Sequence, residues 1–235
     1  MAQKTVIVTG ASQGIGAAVL QAFLHRGYNV VATSRSIVNA GLAPSPNLAL
    51  VDGDIGQPAT AEKVARTAVE KFGAIDHVVN NAGIFSSKPF IDYTADEFHA
   101  FVSTNLEGFI FITQLAVRQM LSQGTGGSVT SITASLVGSP IAGLPASIPM
   151  ITKGGIDAIT LSLASEYAKN NIRFNTVAPG VVETPLHGGT PKPRSAMGMI
   201  SQPRDIAEAV VYLTEASHVT GEVLHVDDGA HVGQW

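Results

Sequence analysis

The stretch from Lys4 to Gly16 constrains the fold of this chain more than any other segment. Its residues Val6 to Val8 form a short β-branched run, which is typical of a buried parallel strand. A glycine-rich turn that starts at Thr9 follows, and it leads into apolar residues at helical spacing. The order strand, turn, helix brings backbone to the carboxyl edge of a sheet and turns the helix N-terminus toward a phosphate.

Three glycines in this turn have separate predicted roles. Gly10 and Gly14 permit a tight turn with closely approaching backbone, and Gly16 lets the helix pack against the strand. A second β-rich run from Val30 to Thr33 indicates a second parallel strand after the helix. The sequence therefore predicts a dinucleotide-binding α/β unit at the start of the chain.

The residues after the second predicted strand indicate which dinucleotide fits. In a dinucleotide-binding fold an acidic residue at this point hydrogen-bonds the adenosine ribose hydroxyls. This chain has Ser34 and Arg35 instead, which supply no carboxylate and present a guanidinium suited to a phosphate. We therefore predict that the cofactor is NADPH or NADP+ in preference to NADH.

The spacing Thr-Gly-x-x-x-Gly-x-Gly resembles the short-chain dehydrogenase/reductase family. The resemblance continues over nearly the whole chain through Asp54, Asn80-Asn81-Ala82-Gly83, Asn105, Lys153, Pro179-Gly180 and Thr220-Gly221. It implies an α/β protein in which residues 1–235 form a single-domain Rossmann fold, with a doubly wound seven-stranded parallel sheet and helices on both faces. It also implies an oxidoreductase that acts on a small-molecule carbonyl substrate.

The predicted cofactor-binding residues combine the turn, the end of the second strand and positions matched to the family. In the family, the Asp-Ile pair contacts the adenine, the Asn-Asn-Ala-Gly signature lies against the nicotinamide ribose, and the residues after strand six contact the carboxamide and the pyrophosphate. The predicted set is Gly10, Ser12, Gln13, Gly14, Ile15, Gly16, Ser34, Arg35, Asp54, Ile55, Asn81, Ala82, Gly83, Lys153, Pro179, Gly180, Val182 and Thr184.

The catalytic group implied by the resemblance lacks its usual acid. Hydride transfer to a carbonyl places negative charge on oxygen, so an acid or a set of donors must meet that charge. In the family a tyrosine supplies the proton, a lysine four residues later lowers the pKa of that tyrosine, a serine orients the carbonyl and an asparagine supports a water relay. Asn105 and Lys153 match the asparagine and the lysine, but Pro149 stands at the tyrosine position. Because no tyrosine lies between Asn105 and Lys153, a small shift of the alignment does not restore the motif.

The serine position is open between two hydroxyls. Aligning residues 127–132 with the family's strand places Thr133 where the family has serine and leaves Ser135 as the nearest other hydroxyl. Both Thr133 and Ser135 remain candidates for a catalytic role. Ser147 and His187 are weaker candidates, since Ser147 has no established direction and a solvated histidine is the simpler interpretation of His187.

Two functions follow from this atypical site. The first is an NADPH-dependent carbonyl reductase in which Lys153, directly or through water, acts beside the hydroxyl of Thr133 or Ser135. Without a positioned phenol, quinones and α-diketones should react better than simple ketones because they delocalise the incoming charge. The alternative is a catalytically silent NADPH-binding sensor or regulatory protein whose cofactor occupancy governs an interaction.

Composition restricts the remaining functional classes. A net charge of −4 with 14% charged residues supplies no basic patch for nucleic acid. The sequence contains no cysteine, so disulfide and thiolate chemistry are excluded and no oxidising compartment is required. No metal site, signal peptide or stretch of membrane-spanning length is predicted. We expect a cytoplasmic protein with neither nucleic acid nor membrane as a partner.

Four further segments have predicted roles. A capping box at 94–97 opens a helix whose apolar residues continue to 120, and a second helix is predicted over 153–169. In the family the corresponding helices form a subunit interface, so we expect a homo-oligomer, either a dimer or a tetramer. The segment 36–47 indicates an abbreviated crossover without a helix. The segment 185–203 is rich in glycine, proline and methionine and is predicted to be a substrate lid.

Overall fold

The computed structural model describes residues 3–187 and 195–233, and within them one parallel sheet has seven strands. The strands are β1 (Thr5–Thr9), β2 (Asn29–Ser34), β3 (Leu48–Asp52), β4 (His77–Asn80), β5 (Gly127–Ile132), β6 (Ile172–Pro179) and β7 (Val223–Val226). Their order across the sheet is β3-β2-β1-β4-β5-β6-β7. The chain therefore changes direction across the sheet between β3 and β4, which opens a crevice at the carboxyl ends of β1 and β4.

Helices cover both faces of the sheet. The α-helices in the described residues are α1 (Gly14–His25), α2 (Pro58–Phe72), α3 (Ala95–Phe101), α4 (Gly108–Gln123), α5 (Ser147–Tyr167) and α6 (Pro203–Glu215). Helices α2, α4 and α5 pack on one face, and α1 and α6 pack on the other. The doubly wound Rossmann fold predicted from the sequence is confirmed.

The central strand β1 shows why the β-branched run at its start specifies this architecture. Val6, Ile7 and Val8 are all fully buried. Because successive side chains of a strand point to opposite faces, Ile7 packs with the α2, α4 and α5 side while Val6 and Val8 pack with the α1 and α6 side. A strand between two helical layers needs apolar residues at every position, and this run provides them.

The predicted helix over 94–120 is a composite in the structure. Its Thr94–Glu97 capping box is present, and a π-helical segment, Val102–Glu107, joins α3 to α4. The composite Ala95–Gln123 is long and apolar enough to cross a membrane by length and composition, with a mean hydropathy of 1.3. The expectation that no stretch reaches that length was therefore wrong, although 44% of the apolar window is buried inside this fold.

Other boundaries differ from the sequence prediction for local reasons. Helix α5 begins at Ser147 rather than Lys153, because Pro149 occupies its first turn, where a missing backbone N–H disrupts no helical hydrogen bond. Strand β7 begins at Val223, and the carbonyl of Val219 upstream of it accepts a hydrogen bond from the side chain of Arg173. Between β2 and β3 the chain forms a single 3₁₀ turn, Ile37–Asn39, as expected for an abbreviated crossover.

Candidate active site

A groove of about 400 Å³ lies at the carboxyl ends of β1, β2 and β4. It brings together thirteen of the predicted cofactor-binding residues: Gly10, Ser12, Gln13, Gly14, Ile15, Ser34, Arg35, Asp54, Ile55, Asn81, Ala82, Gly83 and Thr184. Residues that sequence reasoning missed also line it, namely Thr33, Ser36, Gly53, Ile84, Thr104, Pro185 and Leu186. We call this cavity the cofactor groove.

The glycine turn shapes the floor of the cofactor groove. Gly10 and Gly14 have φ of +65° and +55°, a region that favours glycine. A Cβ on Gly10 would lie 2.8 Å from the Cα of Ala82, and a Cβ on Gly16 would fall on the Gly10 carbonyl oxygen. Gly16 is not among the lining residues, so the absence of its side chain serves the packing of α1 against β1 and β4.

Two side chains tie the turn to the end of β4. The Thr9 hydroxyl accepts hydrogen bonds from the backbone N–H groups of Asn81 and Ala82, both at 3.0 Å. The Asn81 amide donates to the carbonyls of Thr9 at 3.0 Å and Gly10 at 3.1 Å. Because Gln13, which precedes α1, makes no side-chain cap, the first-turn N–H groups of α1 remain available to an anion.

The far end of the groove carries the two residues predicted to select the cofactor. Within the described part of the chain, Ser34 lines the groove, and its Oγ is buried without a hydrogen-bond partner. Arg35 lines the same end and is exposed. A buried hydroxyl without a partner costs free energy unless a ligand pairs with it, so this end of the groove fits a polar, anionic group. The glycine floor and this end together fit a dinucleotide.

A second cavity of about 300 Å³ adjoins the cofactor groove and shares six lining residues with it: Ile15, Asn81, Gly83, Ile84, Thr184 and Leu186. We call it the substrate cavity. Most of its wall is apolar and comes from Ile84, Phe85, Leu136, Ile141, Leu144, Met150, Val181, Val182 and Leu186. Lys153 is the one ionisable side chain among the described residues that line it.

Lys153 lies deep in the substrate cavity, where α5 meets the end of β5. Its Nζ donates a hydrogen bond to the backbone carbonyl of Ile132 at 2.7 Å. Burial lowers the pKa of Lys153 to about 8, and the negative charge of Asp157 opposes this change. At neutral pH the amine is therefore mostly protonated and is able to donate a proton or a charged hydrogen bond.

Asn105 lies in the π-helical segment and is almost fully buried, but it does not line either cavity. Its Oδ1 accepts from the N–H of Ile84 at 2.8 Å, and its Nδ2 donates to the Ile84 carbonyl at 3.2 Å and to the Thr152 hydroxyl at 2.9 Å. Asn105 thus holds the loop after β4 against the helix that carries Lys153. Its predicted part in a water relay stays a prediction.

Pro149 lies one helical turn before Lys153 and is buried without lining the substrate cavity. Its carbonyl accepts a hydrogen bond from Thr152 at 2.8 Å, which closes the first turn of α5. None of the four tyrosines lines this cavity in the described residues. The gap in the family's motif is therefore not filled by a tyrosine from elsewhere in the fold.

The structure separates the two candidate hydroxyls. Ser135 and Thr133 both line the substrate cavity, but the Thr133 hydroxyl turns toward β6, where it donates to the Val177 carbonyl at 3.4 Å. Ser135 makes no such bond within the described residues. Ser147 is exposed and does not line the cavity, and the side chain of His187 lies outside the described part of the structure.

The residues after β6 close the far side of the substrate cavity. Pro179, Gly180 and Val182, which were predicted to bind the cofactor, line the substrate cavity and not the cofactor groove, and the N–H of Gly180 donates to the Val226 carbonyl at 3.0 Å. Val182 also forms an isolated bridge with Ser201. Of the predicted lid over 185–203, residues 188–194 lie outside the described residues, so the lid stays a prediction.

Sequence reasoning missed Asp157, whose carboxylate lies near Lys153, and Met150, which contributes to the cavity wall. Both belong to α5, and the prediction that this helix starts at Lys153 left Met150 outside it. The signal for Asp157 was available, since residues four apart on a helix lie on one face. An acidic residue one turn after Lys153 is therefore a charge neighbour that the sequence spacing predicts.

Comparisons with known proteins agree with this geometry. The family model described as Enoyl-(Acyl carrier protein) reductase matches residues 10–231. The chain is 36% identical to a 3alpha-hydroxysteroid dehydrogenase from Mediterraneibacter gnavus and 33% identical to an L-rhamnose 1-dehydrogenase (NAD(P)(+)) from Sphingomonas sp.. Each alignment covers 97% of this chain and 96% of the relative.

A solved structure gives the same result for the fold. The crystal structure of a 3-ketoacyl-(acyl-carrier-protein) reductase from Brucella melitensis, complexed with NADH, superposes with a TM-score of 0.92 at 28% sequence identity. The match covers 98% of this chain and 99% of that one. The chain is thus similar to these proteins over nearly its full length.

Proposed function

Since the chain belongs to the short-chain dehydrogenase/reductase family and is an NAD(P)-dependent oxidoreductase of small molecules, we propose that it reduces activated carbonyl compounds with NADPH. The observation that carries this proposal is the composition of the substrate cavity. Among its described lining residues, the Lys153 ammonium and the Ser135 hydroxyl lie in a mostly apolar wall, and no phenol is present. Quinones and α-diketones are the substrates that such a donor set suits.

The choice of NADPH rests on Ser34 and Arg35. A ribose 2′-phosphate would take hydrogen bonds from the Ser34 hydroxyl, which is otherwise unpaired in the described residues, and from the Arg35 guanidinium. No carboxylate follows β2 at the position that would pair with a free ribose hydroxyl. The relatives leave this choice open, because the Sphingomonas enzyme is named for NAD(P)+ and the Brucella structure contains NADH.

NADPH held by the lining residues of the cofactor groove would supply a hydride to the carbonyl carbon. The Lys153 ammonium and the Ser135 hydroxyl donate hydrogen bonds to the carbonyl oxygen, where negative charge develops. The Ile132 carbonyl holds the Lys153 side chain in place, and the apolar wall keeps water away from the developing charge. Lys153 then donates its proton to the oxygen and takes up another from solvent.

The preference for activated carbonyls follows from the missing tyrosine. A simple ketone becomes a strongly basic alkoxide, so the absence of a positioned phenol should slow its reduction by a factor of about 10²–10⁴. In a quinone or α-diketone the electron-withdrawing neighbouring carbonyl or unsaturated system makes the alkoxide less basic, so an ammonium and one hydroxyl stabilise it without immediate proton transfer. Simple ketones are therefore expected to be poor substrates.

The test is single-turnover oxidation of bound NADPH across a panel of quinones, α-diketones and simple ketones. We expect measurable rates with the first two classes and loss of those rates in Lys153→Ala at saturating NADPH. Lys63→Ala, which removes an exposed lysine of α2, is the matched control and should react as the wild type does. Equal rates with simple ketones and quinones would contradict the proposal. No oxidation with any carbonyl, despite tight NADPH binding, would favour the silent sensor instead.

We also propose that the protein forms a homo-oligomer through α4 and α5. These helices leave Leu121 41% exposed and Leu161 58% exposed, and a surface groove between them is lined by Ile110, Val117 and Leu163 among others. Light scattering at micromolar concentration should give a dimer or a tetramer, and a monomer there would contradict the proposal. The cytoplasmic location stays a prediction from the sequence.

A further inference from the structure

Asp157 is a carboxylate in the interior layer between α5 and the sheet. It lies one helical turn after Lys153, and its Oδ1 accepts a hydrogen bond from the Thr176 hydroxyl of β6 at 2.9 Å. The bond from Thr176 holds this side chain against β6 without neutralising its charge.

Lys153 and Asp157 lie one turn apart on α5. The Lys153 Nζ donates to the carbonyl of Ile132 at the end of β5, while Asp157 accepts from Thr176 of β6. Side chains four residues apart on a helix have Cβ atoms roughly 5–6 Å apart, so the carboxylate lies close enough for its charge to act on the amine. The Asp157 side chain therefore has a fixed position beside the cavity-facing amine.

Burial and neighbouring charges act on the pKa values of both Asp157 and Lys153. Burial raises the pKa of Asp157, while the hydroxyls of Thr176 and Thr133 and the charges of Lys153 and His225 lower it. On Lys153, burial favours the neutral amine and Asp157 favours the ammonium. Among the described residues, the charged groups that act on this pair are Lys153 and Asp157 themselves, on α5, and His225 of β7. The His225 ring stacks on His231. The side chains that β5 and β6 place against Asp157 are hydroxyls.

We propose that Asp157 is a positioning residue, a buried counter-charge that keeps Lys153 in the ammonium form through which the site donates its proton. The proposal rests on the proposed reductase function. The carbonyl gains a hydride at carbon and a proton from Lys153 at oxygen, the nicotinamide is oxidised, and the neutral amine is reprotonated from solvent. Without a tyrosine the lysine is the proton source, so the residue that holds its charge acts on the rate directly. Thr176 then contributes by orienting Asp157, and Ser135 is the hydroxyl that meets the substrate.

The first experiment measures Lys153 without turnover. The protein is labelled with ¹³C-lysine, the Lys153 Cε signal is assigned by its loss in Lys153→Arg, and it is titrated in the full chain with NADP+ bound. In Asp157→Asn we expect the Lys153 titration to move down by about one pH unit, which approaches a tenfold loss of ammonium at alkaline pH. Glu166→Gln, an exposed neutralisation on the same helix, is the matched control and should leave the titration unchanged. An unchanged Lys153 titration in folded Asp157→Asn overturns the proposal.

The second experiment measures the pH dependence of kcat with a quinone at saturating NADPH. In Asp157→Asn the loss of activity at alkaline pH should begin about one pH unit lower than in the wild type. Rates at acidic pH should stay close to those of the wild type. Thr176→Val, which removes one bond to the carboxylate, should give a smaller change in the same direction and carries the test if Asp157→Asn does not fold. A uniform loss of rate at every pH would indicate a merely structural role and overturn the proposal. If Asp157→Asn shifts the Lys153 titration but the wild-type protein reduces no carbonyl, the counter-charge is supported and the reductase function is overturned.

Discussion

Replacing Pro149 with tyrosine should extend the activity toward simple ketones. Position 149 is the third residue of α5, so the N–H that tyrosine restores is one of the helix-end donors and displaces no existing bond. The phenol would lie one turn before Lys153, whose ammonium would lower the pKa of that phenol. The variant thus recreates the acid whose absence limits the proposed substrate range.

The expected gain follows from general acid catalysis. A positioned acid contributes a factor of about 10²–10⁴, which corresponds to roughly 3–5 kcal/mol of barrier. Pro149 is buried, so the larger ring should also destabilise the fold by about 1–3 kcal/mol through overpacking. Because the two effects act on different quantities, kcat/KM for the ketone should rise while Tm falls.

Pro149→Phe is the matched control, since it introduces the same ring without the hydroxyl. The assay compares kcat/KM for a simple ketone and for a quinone in wild type, Pro149→Tyr and Pro149→Phe, with NADPH affinity and Tm measured for each. We expect only the tyrosine variant to gain on the ketone. If Pro149→Tyr folds, binds NADPH with normal affinity and reduces the ketone no faster than Pro149→Phe, the reasoning from the missing acid is refuted.

Three further predictions concern the cofactor groove and stability. Arg35→Ala should weaken NADPH by about 1.5–3 kcal/mol and leave NADH nearly unchanged, so equal losses in titrations of both cofactors would remove its phosphate role. Gly14→Val should abolish tight NADPH binding, because a β-branched residue is strained at φ +55° and its Cβ would lie 3.3 Å from Thr184 Cγ2. Gly27→Val carries similar strain at φ +79° but faces open space, so it should lose stability and keep cofactor affinity. Burial lowers the pKa of His77 from 6.5 to about 3, so between these values only the unfolded chain binds the proton. Stability should fall by up to about 1.4 kcal/mol per pH unit as pH drops through that range, and urea unfolding of His77→Gln should show a shallower fall.

The sequence determined the fold because its signals are local. A β-branched run, a glycine turn and an amphipathic helix follow one another within the first 25 residues, and each specifies its structure without distant contacts. The same holds for the Thr94–Glu97 capping box and for the positions of most residues in the cofactor groove. The absence of a tyrosine one turn before Lys153 was also readable from spacing alone.

Only the tertiary structure decided which hydroxyl and which carboxylate lie near Lys153. Thr133 and Ser135 are two residues apart, and their directions depend on how β5 ends against β6 and α5, which no local pattern encodes. The depth of Lys153, and hence its lowered pKa, depends on packing between elements that are distant in sequence. Local spacing specifies which residues share a strand or a helix face, whereas burial and direction arise only when separate elements pack together.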